Sequence, residues 1–326
     1  MARVHAIRIH QTGGPEAMRW EEVEVGEPGP GQVRIRHKAV GLNFIDTYHR
    51  GGLYPLPLPS GIGLEAAGVI EAVGEGVGDF KPGDRAGYCT GPIGAYAEAR
   101  LFPAERLIKL PDAIDDRTAA AMLLQGLTAQ YLLRRTHRVK AGETILVHAA
   151  AGGVGLILGQ WGKHLGATVI GTVGTEDKAA LARANGCDHV ILYRQEKVSQ
   201  RVRELTQGAG VPVVYDGVGK DTFMDSLDCL SPLGMMVTFG NASGPVPAFE
   251  PAILSQKGSL FLTRPTLMHY VAKRADLLAA AKELFEVVQK GVVKINVNQS
   301  FPLKEAVTSH RTLEARKTTG STVLVP

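Results

Sequence analysis

The sequence predicts an α/β protein with two parts, a partly open β-barrel and a doubly wound parallel sheet. Three observations carry this. Up to about Gln125, short alternating runs are spaced closely and punctuated by Gly and Pro, as in a small barrel. From about Gly126 to Thr266, short β-branched runs alternate with helix-forming runs, the pattern of a parallel sheet with crossover helices. Within that region, residues 142–155 read as strand, small-residue turn and helix start, the context a dinucleotide-binding loop requires.

The elements follow in order. Residues 4–10 and 32–39 alternate apolar and polar, with Pro28-Gly29-Pro30-Gly31 as the turn between strands. Residues 65–73 and 84–88 are further strands, set apart by Gly74-Glu75-Gly76 and Lys81-Pro82-Gly83-Asp84. The second part places strands at 144–148, 168–173, 189–192, 213–216, 235–239 and 259–262. Helices are predicted at 154–165, 176–184, 197–206 and 221–229. Residues 275–289 and 308–316 are helical, and 321–325 is a closing strand.

The loop has a direct physical reading. A pyrophosphate must approach backbone N–H groups at a helix N-terminus, and side chains at the turn would hold it off. Ala150, Gly152 and Gly155 fall on the three small positions of the G-x-G-x-x-G pattern, with Gly153 and Val154 between. Alanine at the first position requires ordinary dihedrals there. A glycine at 155 lets the helix pack close to the sheet.

Composition narrows the class. With 44% hydrophobic and 21% charged residues, the chain is an ordinary globular protein. A net charge of +4 with no basic run of five argues against nucleic acid as a partner. Cys89, Cys187 and Cys229 form no C-x-x-C pair, so neither a disulfide framework nor a zinc knuckle is predicted. No 18-residue apolar stretch occurs, and a cytoplasmic location without membrane insertion is expected.

The stretch from Gly142 through Gln160 to Lys163 carries two small residues, then Gly-Gly-x-Gly, then Gln and Lys. It resembles the signature of the zinc-independent quinone oxidoreductases, the zeta-crystallin-like branch of the medium-chain dehydrogenase/reductase superfamily. The likeness covers nearly the whole chain. It implies a GroES-like catalytic domain of residues 1–125 and 267–326. A Rossmann domain of residues 126–266 would be inserted in it, and ligands would sit in a cleft. It also implies a homodimer joined through the edge strand at 259–263.

NADPH is the expected cofactor. An NAD enzyme of this fold has a carboxylate at the end of the second strand; here that place reads Gly171-Thr172-Val173-Gly174-Thr175. Lys178 follows on the next helix, although Glu176 and Asp177 add negative charge beside it. The resemblance adds Tyr193, next to Arg194, and Arg316 around the adenosine phosphate. By local match it further implies Asn43, Phe44, Tyr48, Tyr131, Phe239, Gly240, Asn241, Arg264 and Pro265 as cofactor contacts. Gly217 stands where the family has serine. Phe239 could equally be core packing, and Lys178 an ordinary surface lysine.

Zinc alcohol dehydrogenases, the related metal enzymes, ligate their catalytic ion at positions that read Asn43, Leu64-Glu65 and Gln125 here. Leu cannot ligate, and amides are poor ligands beside thiolate or imidazole, so no metal is expected. His148 borders the loop and reads as a strand-end core histidine. Without a Lewis acid, an electron-poor quinone is a better acceptor than a ketone, because its reduction product is phenolate-like with a pKa of about 10. Asn43, Tyr48 and Tyr54, on the loop at 43–59, are the candidate donors and ring-facing walls; either tyrosine could instead be structural. Enone or alkenal reduction is the second enzymatic reading. A nucleotide-binding sensor or RNA-binding protein without turnover is the third.

Overall fold

The computed structural model describes residues 2–326. The chain packs as two compact units. The first runs up to Gln125 and includes Lys273–Phe285 and Ile295–Pro326; the second comprises Gly126–Ala272 and Glu286–Lys294. The return to the first unit thus falls after Ala272, not after Thr266, and residues 286–294 go back to the second unit. Gln160 supplies a reason. Its amide nitrogen donates to the Lys294 carbonyl at 3.1 Å and its amide oxygen accepts the Lys294 N–H at 2.8 Å. A side chain of the loop signature therefore works here as a clamp on a later segment.

The second unit holds a six-stranded parallel sheet. Its order is His189–Leu192, Thr168–Val173, Thr144–Val147, Val211–Asp216, Leu230–Thr238 and Phe261–Thr263. The central Thr144–Val147 strand pairs on both sides, with Ile145 opposite Val169 and Val213. Covered on both faces, it can be a near-continuous apolar run, and Ile145, Leu146 and Val147 are all buried. Each such side chain contributes about 1.5–3 kcal/mol by leaving water. The strand order reverses between Thr144–Val147 and Val211–Asp216, the switch point beyond whose carboxyl ends ligands bind in open α/β sheets.

The first unit contains a three-stranded and a seven-stranded sheet, antiparallel except where Val297–Pro302 runs parallel to Ser321–Val325. The Gln32–Leu42 strand organises the larger sheet. It pairs with Glu65–Val73, Ala99–Pro103 and Ser321–Val325, and register shifts at Arg34/Ile35 and His37/Ala39 let it bend from one partner to the next. Ile7, Ile9, Val33, Ile35, Tyr88, Tyr96 and Phe102 form its core.

Four α-helices were not anticipated from sequence, the short Ala252–Gln256 and Leu267–Tyr270 and two longer ones. Phe44–Gly51 is helical, so Tyr48 stands on a helix and not on a loop. Asp116–Tyr131 is a helix that spans the point where the strand-rich region was expected to end. Among the described residues, no helix is long and apolar enough to cross a membrane. All three cysteines are free and buried.

Gln160→Ala removes both bonds to Lys294 and is expected to destabilise the protein by about 1–2 kcal/mol. Urea unfolding with an unchanged slope would show the loss; an unchanged midpoint would mean that the clamp is not needed.

Candidate functional site

The second unit contributes a glycine-lined cradle. The Gly153–His164 helix begins directly after the central strand, with Gly152 as its extended N-cap (φ −82°, ψ 171°). The chain reverses at Ala149, which adopts a left-handed φ of 53°, so Ala150 keeps ordinary dihedrals as expected. The Ala149 carbonyl accepts the Gly152 N–H at 2.9 Å. A Cβ at Gly155 would lie 2.3 Å from that carbonyl oxygen and 2.8 Å from the Ala150 Cα. Glycine is therefore required for the helix to reach the turn. Gly152, Gly153 and Val154 are half-buried, at the helix end whose first N–H groups have no intrahelical partner.

The rim of the sheet completes this cradle. Gly174 follows the second strand, and a Cβ there would meet the Tyr193 hydroxyl at 2.7 Å and Arg194 Nε at 3.3 Å. Thr175 is the extended N-cap of the Glu176–Ala184 helix and Lys178 lies in its first turn, half-buried. The Glu176 carboxylate lies 3.9 Å from Arg183, which offsets the negative charge that argued against an anion here. Arg194, quoted in the sequence only as a neighbour of Tyr193, is a second cation at this rim.

The fourth and fifth strands end at a crowded place. Phe239 is half-buried, and its ring would be 3.1 Å from any Cβ at Gly217. A Cβ at Gly240 would lie 2.3 Å from the Gly217 carbonyl oxygen. Serine at 217 would press on Phe239, whose ring would have to give by a few tenths of an ångström. Asn241 follows directly, its carbonyl accepting the Gly244 N–H at 2.9 Å. The buried Asp216 accepts from Val218 N–H, Gly219 N–H, Thr222 and Ser226, so it shapes the turn and is not offered to a ligand. Arg264 is exposed and donates to the Thr238 carbonyl at 3.1 Å; Pro265 beside it is buried. Tyr131 is buried and stacks on Tyr270 with centroids 4.3 Å apart. His148 is a core histidine, held by the Thr172 and Ser226 hydroxyls at 2.9 and 3.0 Å.

The first unit contributes Asn43, Phe44, Tyr48 and Tyr54, and also Arg316, which is exposed and left-handed (φ 58°) just beyond the Ala306–Glu314 helix. Tyr48 and Tyr54 meet edge to face at 5.4 Å, and the Tyr54 N–H donates to the Tyr48 carbonyl at 3.1 Å. Phe44 lies 6.5 Å from Tyr48, centroid to centroid. Together they form an aromatic wall on one short helix and the turn after it.

Behind that wall lies a buried polar network the sequence did not reveal. Asn43 Nδ2 donates to Glu65 Oε2 at 2.6 Å, and Gln125 Nε2 donates to Asn43 Oδ1 at 3.2 Å. Leu124 N–H donates to Glu65 Oε1 at 2.8 Å, and the Ser321 hydroxyl lies 2.7 Å from Gln125 Oε1. Asn43 and Gln125, two of the positions compared above with zinc ligands, are thus bonded to each other, and Asn43 also to Glu65. Among the described residues, no group of three or more His, Cys, Asp or Glu could hold a metal ion.

A second chain of bonds locks the helix from behind. Asp46 Oδ2 accepts from the Asn43 N–H at 2.9 Å and from the Tyr96 hydroxyl at 3.0 Å. Tyr96 also meets His310 Nε2 at 3.1 Å, and Arg50 meets His310 Nδ1 at 2.9 Å while pairing with Glu314. Arg50 always carries its protons, so His310 Nδ1 accepts and Nε2 carries the hydrogen. The one sequence clue was a lone carboxylate, Glu65, inside the apolar run 61–70.

Burial, opposed by the bonds from Asn43 and Leu124, pushes the Glu65 carboxyl up to about 8. Burial likewise pushes Asp46 up to about 7. Both values exceed those of the unfolded chain, so the folded state holds more protons and stability falls as pH rises towards 8. The buried His37, His49 and His310, lowered to about 3 or 4 by burial, are neutral in both states above pH 7 and leave this trend unopposed. The thermal midpoint is therefore expected to drop between pH 7 and pH 9, and Glu65→Gln is expected to shallow the drop. A midpoint flat across that range would contradict the assignment.

Two family descriptions match the chain: "Alcohol dehydrogenase GroES-like domain" over residues 29–112 and "Zinc-binding dehydrogenase" over residues 153–286. The chain is 56% identical to a quinone oxidoreductase of Pseudomonas aeruginosa, over 98% of this chain and 99% of that one. It is 51% identical to a 2-haloacrylate reductase of a Burkholderia species, over 99% of each. Among solved structures, Escherichia coli quinone oxidoreductase complexed with NADPH is similar at a TM-score of 0.97 and 48% identity, over 100% of each chain.

Proposed function

The chain belongs to the quinone oxidoreductases of the medium-chain dehydrogenase/reductase superfamily, with a GroES-like and a Rossmann-type domain, and from this we propose that it reduces quinones with NADPH and without a metal. The observation that carries the reading is the glycine cradle at Gly152–Gly155, where a side chain at 155 would strike backbone and a phosphate can approach helix N–H groups. We assign the residues at 152–155 to the pyrophosphate. Gly174, Thr175, Lys178, Tyr193 and Arg316 are assigned to the adenosine phosphate. Tyr131, Gly217, Phe239, Gly240, Asn241, Arg264 and Pro265, with Asn43, Phe44 and Tyr48, are assigned to the rest of the cofactor. The domain limits in this reading follow the two compact units.

NADPH, when bound, supplies the hydride. The chain orients the acceptor and stabilises the charge it gains. Tyr48 and Tyr54 present ring faces and hydroxyls to a planar substrate, and the Asn43 amide offers a fixed dipole in a buried place. The reduction product is phenolate-like, with a pKa of about 10, so solvent can protonate it once the charge has been held. No general acid need be built into the wall. The 51% identity to a 2-haloacrylate reductase supports a second reading, hydride delivery to an activated alkene. Steady-state rates with 1,4-benzoquinone against 2-haloacrylates and enones separate the two.

We also propose a homodimer that pairs Phe261–Thr263, the edge strand of the six-stranded sheet, with its copy. Phe261 is 58% exposed there, and Leu233 nearby in the sheet order is 66% exposed. A cytoplasmic location fits three buried, unpaired thiols.

Lys178→Glu is expected to lower kcat/KM for NADPH by about 10-fold or more, with little change for NADH. Equal losses with both cofactors would remove the lysine from the phosphate site. Turnover with 1,4-benzoquinone should survive a chelator; its loss would refute the metal-free reading. Phe261→Asp should shift the protein to the monomer mass in light scattering, and an unchanged mass would place the interface elsewhere.

A further inference from the structure

We propose that Glu65 is a positioning residue that fixes the polarity of the Asn43 amide, and so decides whether the quinone meets its N–H or its oxygen. The proposal rests on the reading above that Asn43 touches the acceptor.

The geometry is a chain of obligate donors and acceptors. Once ionised, above pH about 8, Glu65 only accepts, so Asn43 must then turn its NH₂ towards Glu65 Oε2, at 2.6 Å. Its oxygen is then left for Gln125, whose NH₂ donates to it at 3.2 Å. Gln125 is oriented in turn, since its own oxygen faces the Ser321 hydroxyl at 2.7 Å. The other carboxylate oxygen is held by the Leu124 N–H at 2.8 Å, which stops Glu65 from rotating to offer a different edge. Gly41 keeps the place open: a Cβ there would lie 2.4 Å from Glu65 Oε2 and 2.2 Å from the Ala120 carbonyl oxygen. Glu65, Asn43 and Gln125 are all buried, so water cannot supply a missing donor or acceptor.

The same chain shows what one isosteric change would do. In Glu65→Gln, the new amide oxygen keeps the Leu124 N–H and the new NH₂ faces Asn43. Asn43 must then reverse to present its oxygen. Its NH₂ now faces Gln125, which must reverse as well and turn its own NH₂ to Ser321. A hydroxyl can accept that bond and give its proton to the Ala121 carbonyl, already 2.9 Å away. Every buried group stays partnered, while the dipole that Asn43 shows the substrate is inverted.

The test compares wild type, Glu65→Gln and Asn43→Ala at pH 9, above the value of about 8 at which Glu65 ionises. The readouts are thermal unfolding, NADPH affinity, kcat and KM for 1,4-benzoquinone, and the side-chain amide signals of protein labelled with ¹⁵N-asparagine. The Asn43 signal is the one missing in Asn43→Ala. Glu65→Gln is expected to keep its fold and its NADPH affinity within about twofold, to lose about 10-fold or more in kcat at saturating quinone, and to move the Asn43 amide signal off its carboxylate-bonded position. Wild-type kcat in Glu65→Gln, with activity lost in Asn43→Ala, would overturn the role of Glu65 alone. Full activity in Asn43→Ala would overturn the reading of Asn43 and this inference with it. Failure of Glu65→Gln to fold would contradict the reversal and overturn it too.

Discussion

A carboxyl group buried in a protein must be given hydrogen-bond donors, and much of the first unit is arranged to give them to Glu65. The Asn43 side chain reaches it from the start of one helix and the Leu124 N–H from the body of another. Gly41 vacates the space it fills. Gln125 and Ser321 extend the bonding to the last strand of the chain. Four segments distant in sequence are thus fixed by one acidic group. Hydrogen bonds from Asn43 to Glu65 and from Gln125 to Asn43 gather these segments. Above pH about 8, where Glu65 is ionised, such charge-assisted bonds are worth roughly twice their neutral counterparts.

In the second unit the governing constraint is close approach. Gly155 against Ala149 and Gly240 against Gly217 each leave no room for a methyl group, and Gly174 lets the Tyr193 hydroxyl come close. These contacts pull helix starts and strand ends together at one rim of the sheet. Phe239 then occupies the space that a side chain at 217 would need, so two positions that look independent in the sequence are one packing decision.

The alternation of strand and helix from 144 onwards was legible because both periods are strong and glycines mark the turns. The six strands all occur, with ends moved by a residue or two except the fifth, which starts five residues earlier at Leu230. The cradle was legible because Gly152, Gly153 and Gly155 are contiguous with it. The Phe44–Gly51 helix was not, since its residues Phe44, Ile45, Thr47 and Tyr48 favour strands, and it is held by tertiary bonds to Asp46 and Arg50. The Glu65 network was hidden for a related reason. Comparison with the zinc enzymes had grouped Asn43, Glu65 and Gln125, but nothing local announces that hydrogen bonds hold them or that Ser321 joins them. Gln160 was noticed as part of a signature, yet its bonds to Lys294 show a structural duty that motif matching does not distinguish from ligand contact.

The bonds from Asp46 through Tyr96 and His310 to Arg50 and Glu314 join the forty-sixth residue to the three-hundred-and-fourteenth. During synthesis the helix that bears Tyr48 is made long before its anchors His310 and Glu314. Nearly all of the parallel sheet is available in the interval and can assemble first, as contiguous domains do. Until those anchors are made, Arg50 lacks His310 and Glu314, and the first unit cannot close this chain of bonds.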